Sequence, residues 1–364
     1  MLPIRVLIVD DSVVIRKILS DTLSADAEIE VVGTAANGKI GLARIEQLNP
    51  DVVTLDIEMP EMDGLATLRA IRQTHPRLPV IMFSTLTQRG AEATLDALSL
   101  GASDYVTKPA NVGSIQAGME RIREELGPKI KAVAHKCRGT SPQRPEAALP
   151  ILPRGPSAET SATPKMTAPI EIVVIGLSTG GPNALAEFFP HLPGDFPVPI
   201  VVVQHMPPVF TKYLAERLDS KSALEVKEAA DGDILAPGKA WIAPGDYHIV
   251  LERSDLRTRI RTRQGPPENS CRPAVDVLFR SAAEVFGPRV LGVVMTGMGQ
   301  DGLRGCACIA DAGGVVYVQD EGTSVVWGMP GQVAAHGLAS QVLPLADLSV
   351  AVRQRVSRQL VRKG

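Results

Sequence analysis

The sequence predicts an α/β protein of two doubly wound domains. Short apolar runs alternate with amphipathic helical patterns over residues 1–126 and again over 170–362, and a stretch rich in Pro, Ser, Thr and Ala at 127–169 separates them. The apolar runs are continuous rather than alternating, as in strands buried on both faces of a parallel sheet. A length of 364 residues suits two domains better than one.

In the first domain the predicted strands fall at 4–9, 29–35, 52–55, 79–83 and 104–106. Helical patterns occupy 12–23, 38–48, 64–73, 90–100 and 112–126. Five βα units in succession imply a five-stranded, doubly wound parallel sheet. From 127 to 169 aliphatic periodicity nearly vanishes, so this segment cannot bury enough surface to offset chain entropy and reads as a flexible Pro-rich linker. Beyond it, strands are predicted at 172–175, 200–203 and 290–294, with helices at 182–189, 210–220 and 302–312. Runs at 239–242, 247–252 and 256–261, separated by Pro-Gly and Ser-Asp turns, read as hairpin strands. The second sheet is therefore expected to be mainly parallel with an antiparallel hairpin.

Composition narrows the function. A formal net charge of -2 argues against nucleic acid or an anionic membrane as the main partner. The four cysteines, Cys137, Cys271, Cys306 and Cys308, match no zinc-site spacing and suit a reducing cytosol. Cys306 and Cys308 read as small residues packed on a helix. The chain reaches Asp10 and Asp11 too soon for a signal peptide, and no apolar run would span a bilayer. A cytoplasmic monomer is expected, with no direct membrane insertion.

Asp10 and Asp11 follow the first predicted strand, and Asp56 follows the third. In an open parallel sheet these ends lie side by side. Carboxylates massed there repel one another unless a cation is present, and oxygen-only ligands favour Mg²⁺. Ser84 and Lys108 stand at the next strand ends, where a hydroxyl and an ammonium would stabilise a carboxyl-phosphate. With Val9-Asp10-Asp11-Ser12, Leu55-Asp56-Ile57-Glu58-Met59-Pro60, Asp63-Gly64, Ser84 and Lys108-Pro109, this domain resembles the response-regulator receiver family, a flavodoxin-like fold. The resemblance implies phosphorylation of Asp56 by a histidine kinase. It implies Mg²⁺ held by Asp11, Asp56 and the Glu58 carbonyl, with Asp10 acting through water, and a switch at Ser84 and Tyr105.

In the second domain Gly176-Leu177-Ser178-Thr179-Gly180-Gly181 follows a strand and precedes a helix opened by Pro182. Glycines permit a sharp turn that leaves the Ser178 hydroxyl uncovered, and the helix N-terminus favours developing negative charge there. His205 and Asp301 also follow predicted strands, on the same sheet edge. A serine nucleophile needs a base, and the base needs an orienting acid. The order Ser, His, Asp differs from that of α/β-hydrolases. These residues, with Gln204-His205-Met206, Arg272-Pro273-Ala274-Val275-Asp276-Val277-Leu278-Phe279, Thr296-Gly297-Met298-Gly299-Gln300-Asp301-Gly302 and Trp327-Gly328-Met329-Pro330, resemble the CheB family of chemotaxis methylesterases. The resemblance implies hydrolysis of γ-glutamyl methyl esters, and deamidation of glutamines, on chemotaxis receptors. It implies Ser178 as nucleophile, His205 as base, Asp301 as orienting acid, the Met298 N–H as oxyanion donor and Thr179 near the site, with no cofactor in this domain. Arg272 and Trp327 are read as lining a substrate groove. The rival reading is a response regulator whose output half binds nucleic acid or a nucleotide; no Lys follows Gly180-Gly181 as a P-loop requires.

Overall fold

The computed structural model describes residues 2–108, 115–138, 168–254 and 257–357. Pro109, most of the predicted linker and the last residues of the second domain lie outside them.

The first domain runs β1 (Ile4–Val9), α1 (Val13–Ser24), β2 (Ile29–Ala35), α2 (Gly38–Leu48), β3 (Val52–Asp56), α3 (Gly64–Thr74), β4 (Val80–Ser84), α4 (Gln88–Ser99), β5 (Asp104–Thr107) and α5 (Ile115–Arg138). Its strands order as β2-β1-β3-β4-β5, all parallel. Residues 52–56 and 80–84 are buried throughout, as sheet interiors covered on both faces require. Side chains of Ser12, Asn37, Asp63 and Thr87 accept from the first turns of α1 to α4, satisfying backbone donors that a helix leaves open.

One boundary differs from the sequence reading. Helix α5 continues past Gly127-Pro128 to Arg138, into the stretch assigned to the linker. Ile122, Leu126, Ile130, Val133 and Ala134 form a buried stripe at helical spacing that ties the extension to the core. That packing outweighs the local helix-breaking tendency of Pro128.

The second domain runs β6 (Ile172–Leu177), α6 (Gly181–Phe188), β7 (Ile200–Gln204), α7 (Phe210–Lys221), β8 (Glu225–Glu228), β9 (Lys239–Ile242), β10 (His248–Ser254), β11 (Arg257–Arg263), α8 (Val275–Phe286), β12 (Val290–Val294), α9 (Leu303–Asp311), β13 (Val315–Gln319), α10 (Met329–Ala335), β14 (Gln341–Leu343) and α11 (Leu345–Ser357). Its seven-stranded sheet orders as β14-β13-β12-β6-β7-β9-β8, and β10 and β11 form a separate antiparallel hairpin. Residues 239–242 are therefore a strand of the main sheet, parallel to β7, rather than part of a hairpin. Ala240, Trp241 and Ile242 are all buried, which suits a sheet interior and not a half-exposed hairpin. From β6 the chain winds outward to β7 on one side and later to β12 on the other. The sheet order thus reverses between β6 and β12, where open α/β sheets form their ligand crevice.

The two domains touch. Tyr105 of β5 stacks on Phe210 of α7, with ring centroids 5.2 Å apart. Buried residues of both domains join one apolar cluster, Leu95 and Leu98 of α4 with Leu214 and Leu218 of α7 among them. Arg217 donates to Asp96 at 2.7 Å and to Ser99 at 2.6 Å. Asp96 is largely exposed, so that ion pair contributes at most about 1 kcal/mol. Apolar burial and the stacked rings carry the contact. Lys136 of α5 donates to the Ser324 carbonyl, and the neighbouring Val325 packs against the cluster holding Ile130 and Val133.

Candidate active site

Ser178 sits in the turn between β6 and α6. Its N–H donates to the Thr296 carbonyl at 3.0 Å, and its carbonyl accepts from Gly181 N at 2.8 Å and Gln204 Nε2 at 3.0 Å. Gly180 has φ +78°, a conformation side chains resist. A Cβ at Gly181 would lie 1.8 Å from Gln204 Oε1, so a larger residue there would displace the Gln204 side chain that binds the Ser178 carbonyl. The N–H groups of Thr179 and Met298 donate to no acceptor among the described residues.

His205 follows β7, its N–H bonded to the Leu177 carbonyl at 3.1 Å. Nε2 meets Asp301 Oδ2 at 2.7 Å. Asp301 is 2 % exposed and accepts besides from Val275 N at 2.6 Å, Asp276 N at 3.0 Å, Gly302 N at 3.0 Å and Asn269 Nδ2 at 2.8 Å. Val275 and Asp276 open α8, so the helix N-terminus points its free donors at this carboxylate. Burial acts to raise the Asp301 pKa, but His205 and the backbone donors outweigh it and hold the group below its ordinary value.

Two side chains that the sequence reading passed over reach the site. Asn269 bridges Asp301 and the buried Asp276, at 2.8 and 2.9 Å. Cys271 Sγ lies 3.5 Å from His205 Nδ1. Asn269 lies in, and Cys271 flanks, a two-residue turn in which Asn269 (φ 52°) and Ser270 (φ 62°) are left-handed, closed by reciprocal backbone bonds between Glu268 and Cys271. Arg280 grips Glu268 through two bonds of 3.1 and 2.8 Å, tying the turn to α8. With Nε2 engaged by Asp301, Nδ1 is the nitrogen left for a nucleophile, and no hydrogen bond joins Ser178 Oγ to it among the described residues. Catalytic hydrogen bonds often close only when substrate is bound.

Burial acts to lower the His205 pKa. The Asp301 hydrogen bond, the Cys271 contact and the Asp301 charge overcome it and raise the group to about 10. A base must be neutral to accept a proton, so kcat/KM should rise with pH along a limb displaced above the ordinary imidazole range. Cys271→Ala removes one raising influence, and its limb is expected at lower pH than wild type. A pH–rate series on both proteins checks this; an upward or absent displacement counts against the Cys271 contact.

Arg272 and Trp327 are engaged elsewhere. The Arg272 guanidinium binds Asp246 and the Gly265 carbonyl, and the Trp327 Nε1 donates to the Gln319 carbonyl at 3.0 Å. Trp327 also forms an isolated parallel backbone bridge with Gly297. Cys306 and Cys308 lie on α9 as free thiols.

The first domain gathers its acidic residues. Lys108 Nζ lies 2.7 Å from Asp56 and 3.1 Å from Asp10. Oxygens of Asp10, Asp11 and Asp56 all fall within 4.8 Å of one another. Burial raises the pKa of Asp10 and, despite Lys108, takes Asp56 to about 6. The Ser84 hydroxyl donates to the Gly90 carbonyl at 3.1 Å.

Fold and site together define a class: a response regulator whose output half is an enzymatic α/β domain. The family model for CheB methylesterase matches residues 173–352, and that for the response regulator receiver domain matches residues 6–120. A protein-glutamate methylesterase/protein-glutamine glutaminase of Trichodesmium erythraeum is 55% identical over 352 residues, covering 97% of this chain and 99% of that protein. One of the same description from a Nocardioides species is 54% identical over 363 residues, covering 98% and 96%. The crystal structure of the Thermotoga maritima CheB methylesterase catalytic domain, 45% identical, covers 51% of this chain and 99% of its own with a TM-score of 0.50. The chain belongs to the CheB methylesterase family.

Proposed function

We propose that the chain hydrolyses γ-glutamyl methyl esters, and deamidates selected glutamines, on chemotaxis receptors under control of Asp56 phosphorylation. The observation that carries the chemistry is the His205–Asp301 pair, at 2.7 Å, on the sheet edge that also presents the Ser178 turn. Ser178 Oγ attacks the γ-carbonyl while His205 Nδ1 takes its proton. The oxyanion meets the open N–H groups of Thr179 and Met298 beside the α6 N-terminus. His205 returns the proton to the departing methoxide, and methanol leaves. Water, deprotonated by His205, then attacks the acyl-serine, releasing the glutamate and restoring Ser178. An amide follows the same path with ammonia leaving. Asp301 keeps the imidazole in one tautomer and stabilises its cation. Methanol release from methylated receptor tests this reading; no release above the uncatalysed rate would end it.

In the receiver half, the donor set of Asp10, Asp11 and Asp56 fits a hard divalent ion, and three carboxylates this close carry more negative charge than Lys108 alone offsets. Asp11, Asp56 and the Glu58 carbonyl would hold Mg²⁺, with Asp10 acting through water. Bound there, Mg²⁺ supplies charge neutralisation for the phosphoryl oxygens. Lys108 holds a further oxygen. Ser84 must leave the Gly90 carbonyl to reach the phosphoryl group, and Tyr105 on the neighbouring strand already lies in the inter-domain contact. A histidine kinase of the chemosensory pathway is the proposed phosphodonor. No helix among the described residues is long and apolar enough to cross a membrane, consistent with work in the cytoplasm on receptor helices.

The receiver would restrain the second domain. Val325, packed against the α5 cluster, lies close enough to Gly180 that a Cβ there would meet its Cγ2 at 2.5 Å. The receiver therefore leans on the segment beside the nucleophile turn. A chain beginning near Ala168 is expected to hydrolyse methyl esters faster than the unphosphorylated full-length protein. Slower turnover by the truncated chain would remove simple inhibition by the receiver.

A further inference from the structure

We propose that Cys271 and His205 form a binding site for zinc that shuts the enzyme off. Thiolate and imidazole ligands sit about 2.3 and 2.0 Å from zinc, and tetrahedral angles then place sulfur and nitrogen about 3.5 Å apart. Cys271 Sγ and His205 Nδ1 are 3.5 Å apart. The pair already has the spacing the ion requires.

The surroundings support the same site. A histidine that ligates a metal usually gives its other ring N–H to a carboxylate, which fixes the tautomer and strengthens the ligand. Asp301 stands at that position, 2.7 Å from Nε2. Asp301 is itself held by three backbone donors and Asn269, so the imidazole cannot swing away. The thiol is placed as firmly, by the turn closed between Glu268 and Cys271 and anchored through Arg280. Both side chains are partly exposed, so an ion can reach them. Their 66-residue separation in sequence hides the pair from any spacing rule.

Zinc displaces the Cys271 proton to solvent and takes the lone pair of Nδ1, with water completing its coordination. That lone pair is what removes the Ser178 proton. The ion is thus an inhibitor and not a resident cofactor, a consequence that rests on His205 acting as the base.

The full-length chain is titrated with buffered Zn²⁺ while methyl-ester hydrolysis is followed. Wild-type activity is expected to fall by roughly tenfold or more at micromolar free zinc and to return with chelator. Cys271→Ser, measured against its own zinc-free rate, should keep most of its activity over that range. Co²⁺ serves as a spectroscopic probe of the site without turnover. One equivalent should give a thiolate-to-cobalt charge-transfer band in wild type and in Ser178→Ala, and none in Cys271→Ser. Equal zinc sensitivity in wild type and Cys271→Ser, or no such band in wild type, would overturn the site. A band without inhibition would overturn the block. Because the cobalt signal needs no catalysis, its failure is separable from failure of the esterase reading.

Discussion

Replacing Ser178 with alanine is expected to lower kcat for methyl-ester hydrolysis by about 10³-fold or more. The substitution removes only the hydroxyl. The fixed contacts of Ser178 are all backbone: its N–H to Thr296, its carbonyl to Gly181 and Gln204. Alanine preserves each, so the turn keeps its shape and the melting temperature should hardly move. Loss of turnover in a folded protein then reports chemistry and not collapse. Residual activity should come from the open N–H groups at Thr179 and Met298, which still attract the developing oxyanion. Methanol release measured beside thermal melting decides the matter. Turnover within a few-fold of wild type would mean that Ser178 is not the nucleophile.

Asp301→Asn should cost nearly as much, on the order of 10³ to 10⁴ in kcat. Asparagine has the right shape and the wrong chemistry. Five donors converge on the carboxylate: Val275 N, Asp276 N, Gly302 N, Asn269 Nδ2 and the His205 ring. An amide offers one oxygen and one NH₂. If the oxygen takes the Oδ1 place, the NH₂ faces His205, selecting the wrong tautomer, and also strands the Val275 N–H. If it takes the Oδ2 place, the NH₂ meets the Asp276 and Gly302 N–H groups and the Asn269 amide and leaves them without an acceptor. Each buried donor so stranded costs about 1–3 kcal/mol. The variant is therefore expected to lose stability as well as rate, unlike Ser178→Ala. Steady-state kinetics with calorimetry distinguish the two. A kcat drop below tenfold would show that the carboxylate does not orient the base.

Much of this architecture is legible from the chain alone, for identifiable reasons. In the receiver half, runs such as 52–56 and 80–84 are mostly apolar and end at Asp56 and Ser84, so strand and site announce each other. Where sequence and structure part, tertiary packing overrides a local signal. Gly127-Pro128 reads as a stop, yet the stripe from Ile122 to Ala134 carries α5 through it. Lys239–Ile242 lies between turn residues and reads as hairpin, yet it completes the main sheet. Strands β8 and β14 are short and largely exposed, with too little apolar pattern to register. Ser178, His205 and Asp301 were visible as candidates because the first two directly follow strands and the third lies in the loop after β12, each within a dense motif. Asn269 and Cys271 were not. They enter through a turn between elements, and nothing in their spacing relates them to His205 or Asp301.

The position of Asp301 against the first turn of α8 has a broader consequence. A carboxylate spared by selection for catalysis is also one that keeps a helix seated in the core. Drift that abandons the reaction would therefore still be penalised at this residue, through folding, long after Ser178 had become free to change.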